Sequence, residues 1–197
     1  MSLDVFLALL LFAFVSSITP GPNNLMLLAS GVNFGFVRTI PHMLGIGLGF
    51  LFLLLAIGFG LGALLTAFPA VHTALKIAGG AYMLYLAWRI AMTRTMGAAT
   101  GKARPMTFLE AVAFQWVNAK AWVMALTAMS LYTSAERPFA SVLLVALAFA
   151  LVNVPCVSSW AGFGTAMRGF RSDPVRLKWF NIAMGAALAL SVLPMVL

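Results

Sequence analysis

From Val5 to Val37 no residue carries a charge, and in the middle of that run stands Thr19-Pro20-Gly21-Pro22. A continuous apolar helix of such length would cross a bilayer with residues to spare. Two prolines and a glycine cannot lie inside it, because proline lacks an N–H and clashes with the preceding turn. If helical geometry continued, Pro20 would strip the Ser16 carbonyl of its partner and Pro22 that of Ile18. In hydrocarbon an unpaired backbone group costs several kcal/mol. The break therefore predicts protein or a watery cavity around it, with a new half-helix starting at Asn23 and Asn24.

The rest of the chain fits a membrane. Of 197 residues, 63% are hydrophobic and 8% charged, too few charges to cover a soluble globule. Intrinsic disorder needs the opposite composition. At about 20 residues per span, the length holds roughly six helices. The sequence predicts an all-α integral membrane protein of one transmembrane domain, 1–197. It reads as two inverted three-helix halves, about 1–93 and 107–197, joined by the basic loop 94–106. The spans read as the broken first helix, a second through Thr39–Leu75 with a turn near Phe68-Pro69, a third over 71–93, a fourth over 107–132, a fifth over 139–162, and a sixth ending the chain after a basic loop at 164–178. The first is read as a retained helix, since no basic region precedes its apolar run and no small-residue cleavage site follows.

Net charge is +8, but the bases sit in the short gaps between apolar runs, which argues for membrane topology and against nucleic acid. The first, third and fifth inter-helix gaps hold Arg38; Arg89, Arg94, Lys102 and Arg104; and Arg168, Arg171, Arg176 and Lys178. The opposite gaps hold Lys76 and Arg137. This places the basic loops in the cytoplasm and both termini outside. With a single cysteine, Cys156, and two histidines, neither a disulfide relay nor a metal centre can be assembled, so no cofactor is expected. Gly45 and Gly49, spaced small-xxx-small, predict close helix packing. His42, beside Pro41, reads as interfacial, and His72 as a turn residue. Trp88, Trp160, Trp179, Tyr82 and Tyr132 read as belt or packing residues.

Two segments carry chemistry. The first break offers carbonyls to a cation and, at the start of the next half-helix, amides to an anion, which suits a zwitterion. The second segment is Gln115-Trp116-Val117-Asn118-Ala119-Lys120. Lys120 lies at mid-helix, where insertion costs about 2.5–3.5 kcal/mol, with no acid one turn away. On an unbroken helix Asn118 and Lys120 would point about 200° apart, so the segment must be enclosed or unwound. Both segments lie in the first helix of their half, the arrangement that marks a midplane transport site. The candidate substrate-binding residues are thus Thr19, Pro20, Gly21, Pro22, Asn23, Asn24, Gln115, Asn118 and Lys120, with Lys120 as the carboxylate partner. Glu110 and Asn153 are candidates for coupling or for supporting the site.

Ile18-Thr19-Pro20-Gly21-Pro22-Asn23, Gly35-Phe36 with Gly45–Gly49, Leu75-Lys76-Ile77-Ala78-Gly79-Gly80-Ala81-Tyr82 and Asn118-Ala119-Lys120-Ala121 resemble the LysE/RhtB family of amino-acid exporters over nearly the whole chain. Within it, Thr19–Asn24 and Phe114–Lys120 look most like the cysteine/O-acetylserine branch. The resemblance implies six helices, the bacterial inner membrane and proton-coupled efflux of small amino acids or derivatives. Ala119 stands where the family commonly has proline, so a break in the fourth helix stays open. The expected partners are a small amino-acid substrate and the lipid bilayer, with a homodimer as an open alternative. A passive channel or facilitator is the competing function, although polar residues clustered at one depth favour a carrier. An intramembrane enzyme would need a nucleophile with a base in reach, and only Lys120 with Ser16 and Ser17 offers anything like it.

The sidedness is testable by single cysteines at Thr100 and Ser172 in a Cys156→Ala background. An impermeant thiol reagent should label both in everted vesicles and neither in intact cells. Labelling of either from outside would reverse the assignment.

Overall fold

A computed structural model describes residues 1–61, 69–93, 104–167 and 169–193. Among these residues every regular element is helical. The chain runs through α1 (Leu3–Ile18), α2 (Pro22–Phe34), α3 (Phe36–Ala56), which continues as a π-turn over Ile57–Leu61, and α4 (Pro69–Ala91). It goes on through α5 (Phe108–Gln115), α6 (Ala119–Tyr132), α7 (Pro138–Ala166), the short α8 (Gly169–Ser172) and α9 (Pro174–Leu190). The turn expected near Phe68-Pro69 and most of the basic loop 94–106 lie outside the described residues.

Two helices, Phe36–Leu61 and Pro138–Ala166, are long and apolar enough to cross a membrane, and the pair α1–α2, bent by 54°, makes a third candidate as one broken span. Their outward faces are apolar, with Leu48, Phe52, Leu147 and Leu151 exposed, as lipid contact requires.

The bent pair lies along one long partner, α7. Phe12 of α1 packs its ring edge-on against Phe149 of α7, and further along Asn153 of α7 donates to Ser17. Later still, α7 meets α2 backbone to backbone: a Cβ on Gly31 would strike the Ala161 carbonyl and one on Gly164 the Leu28 carbonyl. α7 has 29 residues, about 43 Å at 1.5 Å per residue, long enough to splint both pieces.

The expected small-residue contact falls between α3 and α5. A Cβ at Gly45 would meet Phe108 and Ala111, and one at Gly49 would meet Val112 and Gln115. The matching order of contacts means that the two helices run in the same direction. α4 and α9 run oppositely, with Gly185 against Ala87 and Ala91, and Gly80 near Val192. Between α2 and α3 there is only Gly35, whose φ of 82° suits glycine. A buried amide pair ties α2 to α9: Asn33 and Asn181 donate to each other at 2.7 and 3.0 Å, and Asn181 also donates to the Thr93 carbonyl at the end of α4.

Several sequence expectations are corrected. His42 is not interfacial: it is 1% exposed inside the bundle, because α5 and α7 both cover the face of α3 that carries it. The basic stretch 164–178 is not a loop throughout. α7 runs on to Ala166, and α9 starts at Pro174, where Asp173 caps the Val175 and Arg176 amides. The backbone of His72 lies in the first turn of α4 rather than in a turn. Trp160 points its indole N–H inward rather than to an interface, as described next.

Candidate functional site

The first break spans Thr19–Gly21, and its orphan carbonyls can be accounted for one by one. The Val15 carbonyl accepts from the Thr19 amide. The Ser16 carbonyl accepts from Thr19 Oγ1 at 3.0 Å. The Ser17 carbonyl accepts from Asn24 Nδ2 at 2.8 Å, and the same Nδ2 reaches the Thr19 carbonyl at 2.8 Å. The Ile18 carbonyl accepts from Trp160 Nε1 at 3.0 Å. The sequence expectation of free carbonyls at Ser16 and Ile18 is therefore corrected: the protein supplies the donors itself.

The cation that the carbonyls call for is also internal. Lys120 Nζ donates to the Thr19 carbonyl at 2.8 Å, to Thr19 Oγ1 at 2.9 Å and to the Pro20 carbonyl at 3.4 Å. Lys120 can reach there because the fourth span is broken without a proline. α5 ends at Gln115, the amides of Trp116 and Val117 make tight i−3 bonds, and Asn118 is extended with φ −86° and ψ 101°. α6 then begins at Ala119. The Trp116 carbonyl freed by this break accepts from Trp122 Nε1 at 2.9 Å. A lysine in the first turn of a helix opposes the helix dipole. Reaching across to the carbonyl end of α1 reverses that sign.

The two breaks are joined a second time. Asn23 Nδ2 donates to Gln115 Oε1 at 2.8 Å, and Gln115 Nε2 donates back to Asn23 Oδ1 at 3.2 Å and to the Ala111 carbonyl. Asn23 and Asn24 occupy the first turn of α2, whose cap at Gly21 makes no side-chain hydrogen bond, so amides there are open to an anion.

These residues surround one cavity. Ser16, Ser17, Gly21, Asn23, Asn24, Gln115, Asn118, Lys120 and Asn153 supply its polar wall, and Ile46, Phe50, Ala121, Met124 and Val157 its apolar one. Its free volume is about 30 Å³, room for roughly two waters. Asn118 Oδ1 and Asn153 Oδ1 are buried with no hydrogen-bond partner, and so present acceptors to whatever enters. Gly21 is packed against the lysine stem: a Cβ there would come 2.7 Å from Lys120 Cδ.

Of the sequence candidates, Gly21, Asn23, Asn24, Gln115, Asn118, Lys120 and Asn153 line the cavity. Thr19 and Pro20 form its rim through their bonds to Lys120, and Pro22 is buried as the first residue of α2. Glu110 is not brought to the cavity. It completes a capping box with Thr107 and holds Arg104 through two hydrogen bonds of 2.6 and 2.7 Å, which raises the Arg104 guanidinium further above its ordinary value. Sequence reasoning missed Trp160 and Trp122 as carbonyl donors. The signal was helical spacing: Trp160 follows Asn153 by seven residues and Trp122 follows Asn118 by four, each on the same face.

Two helices broken at one polar cavity are the arrangement expected of a membrane translocator. Residues 14–193 match the family described as LysE type translocator, and the chain belongs to that family. It is similar to the cysteine/O-acetylserine efflux protein of Escherichia coli (strain K12), 32% identical over 121 residues, and to that of Shigella flexneri serotype 5b (strain 8401), 33% identical over the same length. In each case the match covers 61% of this chain and 62% of the relative, so the chain spans about three fifths of the curated relatives it matches. No solved structure matches it.

Asn24→Leu tests the carbonyl accounting. It leaves the Ser17 carbonyl without its donor and the Thr19 carbonyl with Lys120 alone. A buried unsatisfied acceptor costs about 1–3 kcal/mol, so thermal unfolding in detergent should shift several degrees downward. An unchanged midpoint would mean that the break is solvated by other means.

Proposed function

We propose that this chain exports small amino acids or their derivatives across the bacterial inner membrane by alternating access, in exchange for protons. Cysteine and O-acetylserine are the first substrates to try, since the relatives are named for them. The observation that carries the reading is the crossing of two broken helices at one cavity, where an ammonium, open helix amides and two unpartnered amide oxygens converge. That set matches both ends of a zwitterion. The substrate carboxylate takes Lys120 and the first-turn amides of α2; the substrate ammonium takes Asn118 Oδ1 and Asn153 Oδ1. The apolar wall of Ile46, Phe50 and Met124 leaves space for a short side chain.

Lys120 then works by exchange. Without substrate its charge rests on the Thr19 and Pro20 carbonyls. With substrate it moves to the carboxylate, and Asn24 keeps the Thr19 carbonyl paired. The half-buried ammonium keeps oxygen partners at either stage. The six-span reading has two halves with paired breaks, basic gaps in the cytoplasm and both termini outside. Its order of spans is supported by the parallel run of α3 with α5, the antiparallel run of α4 with α9, and the splinting of α1–α2 by α7, and its sidedness rests on the bases alone. A channel would keep a continuous polar path; a cavity with room for roughly two waters supports a carrier that must open to load.

Lys120→Met keeps the length and removes the charge. Charge-assisted hydrogen bonds contribute about 1.5–3 kcal/mol, so the half-saturating concentration in everted vesicles should rise roughly tenfold to a hundredfold. Lys120→Arg should not restore it, since a planar fork does not fit a cradle of converging carbonyls. Wild-type affinity in a folded Lys120→Met protein would remove Lys120 from the substrate site.

A further inference from the structure

His42 is the largest unexplained polar group of the interior. It is 1% exposed, and both Nδ1 and Nε2 lack a hydrogen-bond partner. A neutral imidazole carries one donor and one acceptor, so both are left unsatisfied, and a leucine or phenylalanine would fill the space without that penalty. Its neighbours on α3, Met43 and Ile46, belong to an apolar cluster with Leu27, Ala111, Val157 and Ala161.

Its place in the bundle is specific. Ile46 and Phe50, four and eight residues on, line the cavity. His42 is on the same face of α3, about 6 Å further along the axis, toward the end where α5 begins. The charged and titratable groups on the elements packed around α3 are few. α5 carries Glu110, with Arg104 just before it; α6 carries Lys120 and, at its far end, Tyr132; α7 carries the buried thiol of Cys156; α2 and the π-turn carry none; α3 itself has Arg38 near its start. The chain has four acids. Asp4 is in the first turn of α1, Glu136 in the α6–α7 turn, and Asp173 caps α9 beside Arg176. Glu110 is tied to Arg104 and Thr107, and Lys120 is held by the carbonyls. The cavity has no carboxylate of its own to carry a proton.

We propose that His42 is the proton-binding residue of the transport cycle; this rests on the reading of the chain as a proton-exchanging exporter. In the state described here the imidazole is shut away from water. When the bundle opens outward, the lone pair of one ring nitrogen takes a proton from the external medium and the ring becomes an imidazolium. When the bundle opens inward, that proton leaves to the cytoplasm and the neutral ring returns. One proton moves in as one substrate moves out, with no net chemistry at the residue.

The test uses full-length protein in proteoliposomes with labelled O-acetylserine and labelled cysteine as probes. For wild type, an imposed pH gradient should drive accumulation. In His42→Gln that accumulation should be lost, and the dependence of transport on pH between about 5 and 8 should flatten, while substrate counterflow at equal pH persists. A merely structural histidine would lower both modes together, and that outcome overturns the proposal, as does pH-driven accumulation at the wild-type level in His42→Gln. If the wild type shows counterflow but ignores the pH gradient, proton coupling itself fails, and His42 loses the role with it. Should His42→Gln not fold, histidine-labelled protein carrying His72→Gln leaves His42 as the only histidine for ¹⁵N spectroscopy. Its ring should change protonation when substrate is added, and a ring indifferent to substrate and pH overturns the proposal.

Discussion

The backbone at the end of α1 sets the terms for everything around it. A span interrupted by Pro20 and Pro22 leaves a run of carbonyls without helical partners, in a place where water cannot be relied on to satisfy them. The chain answers with four side chains, three from other elements and one from the break itself. Thr19 turns back on Ser16, Asn24 reaches Ser17 and Thr19, Trp160 reaches Ile18, and Lys120 covers Thr19 and Pro20. The bonds from Asn24, Trp160 and Lys120 also tie α2, α7 and α6 to the end of α1, so satisfying the break and assembling the bundle go together.

The second break is the complement of the first. Two half-helices end and two begin within reach of one another, which brings carbonyl ends and amide ends together at one level. Lys120 sits where its own helix disfavours a cation and donates where another helix favours one. The arrangement carries one positive charge, that of Lys120, held by carbonyl dipoles without any carboxylate. An acid in the cavity would pair with Lys120 permanently; carbonyls hold it less tightly and can let it go.

Much of this was legible in the sequence. Two prolines around a glycine in an uncharged run cannot be helical, and Lys120 in the middle of a span with no acid a turn away requires company; both follow from backbone and charge arithmetic alone. Gly45 and Gly49 predicted a close helix contact by spacing, though not that α5 would be the partner. The break at Trp116–Asn118 was not determinable, because no proline or glycine marks it. It rests on tertiary partners: Trp122 for the Trp116 carbonyl, Asn23 for Gln115, and the Thr19 carbonyl for Lys120. His42 was misplaced for a similar reason, since proximity to Arg38 and Pro41 suggested an interface, while the face it occupies is covered by helices far away in sequence. The direct backbone contact of Gly31 with Gly164 had no local pattern to announce it.

In the proposed cycle Lys120 rests on the Thr19 carbonyl and leaves it for the substrate. Solid-state NMR on protein labelled with ¹³C at threonine carbonyls and ¹⁵N at lysine side chains measures that contact directly. The account predicts a close Thr19 carbonyl to Lys120 Nζ cross-peak in bilayers without substrate, and its loss when a transported amino acid saturates the site. Absence of the cross-peak without substrate, or its persistence unchanged at saturation, would contradict it.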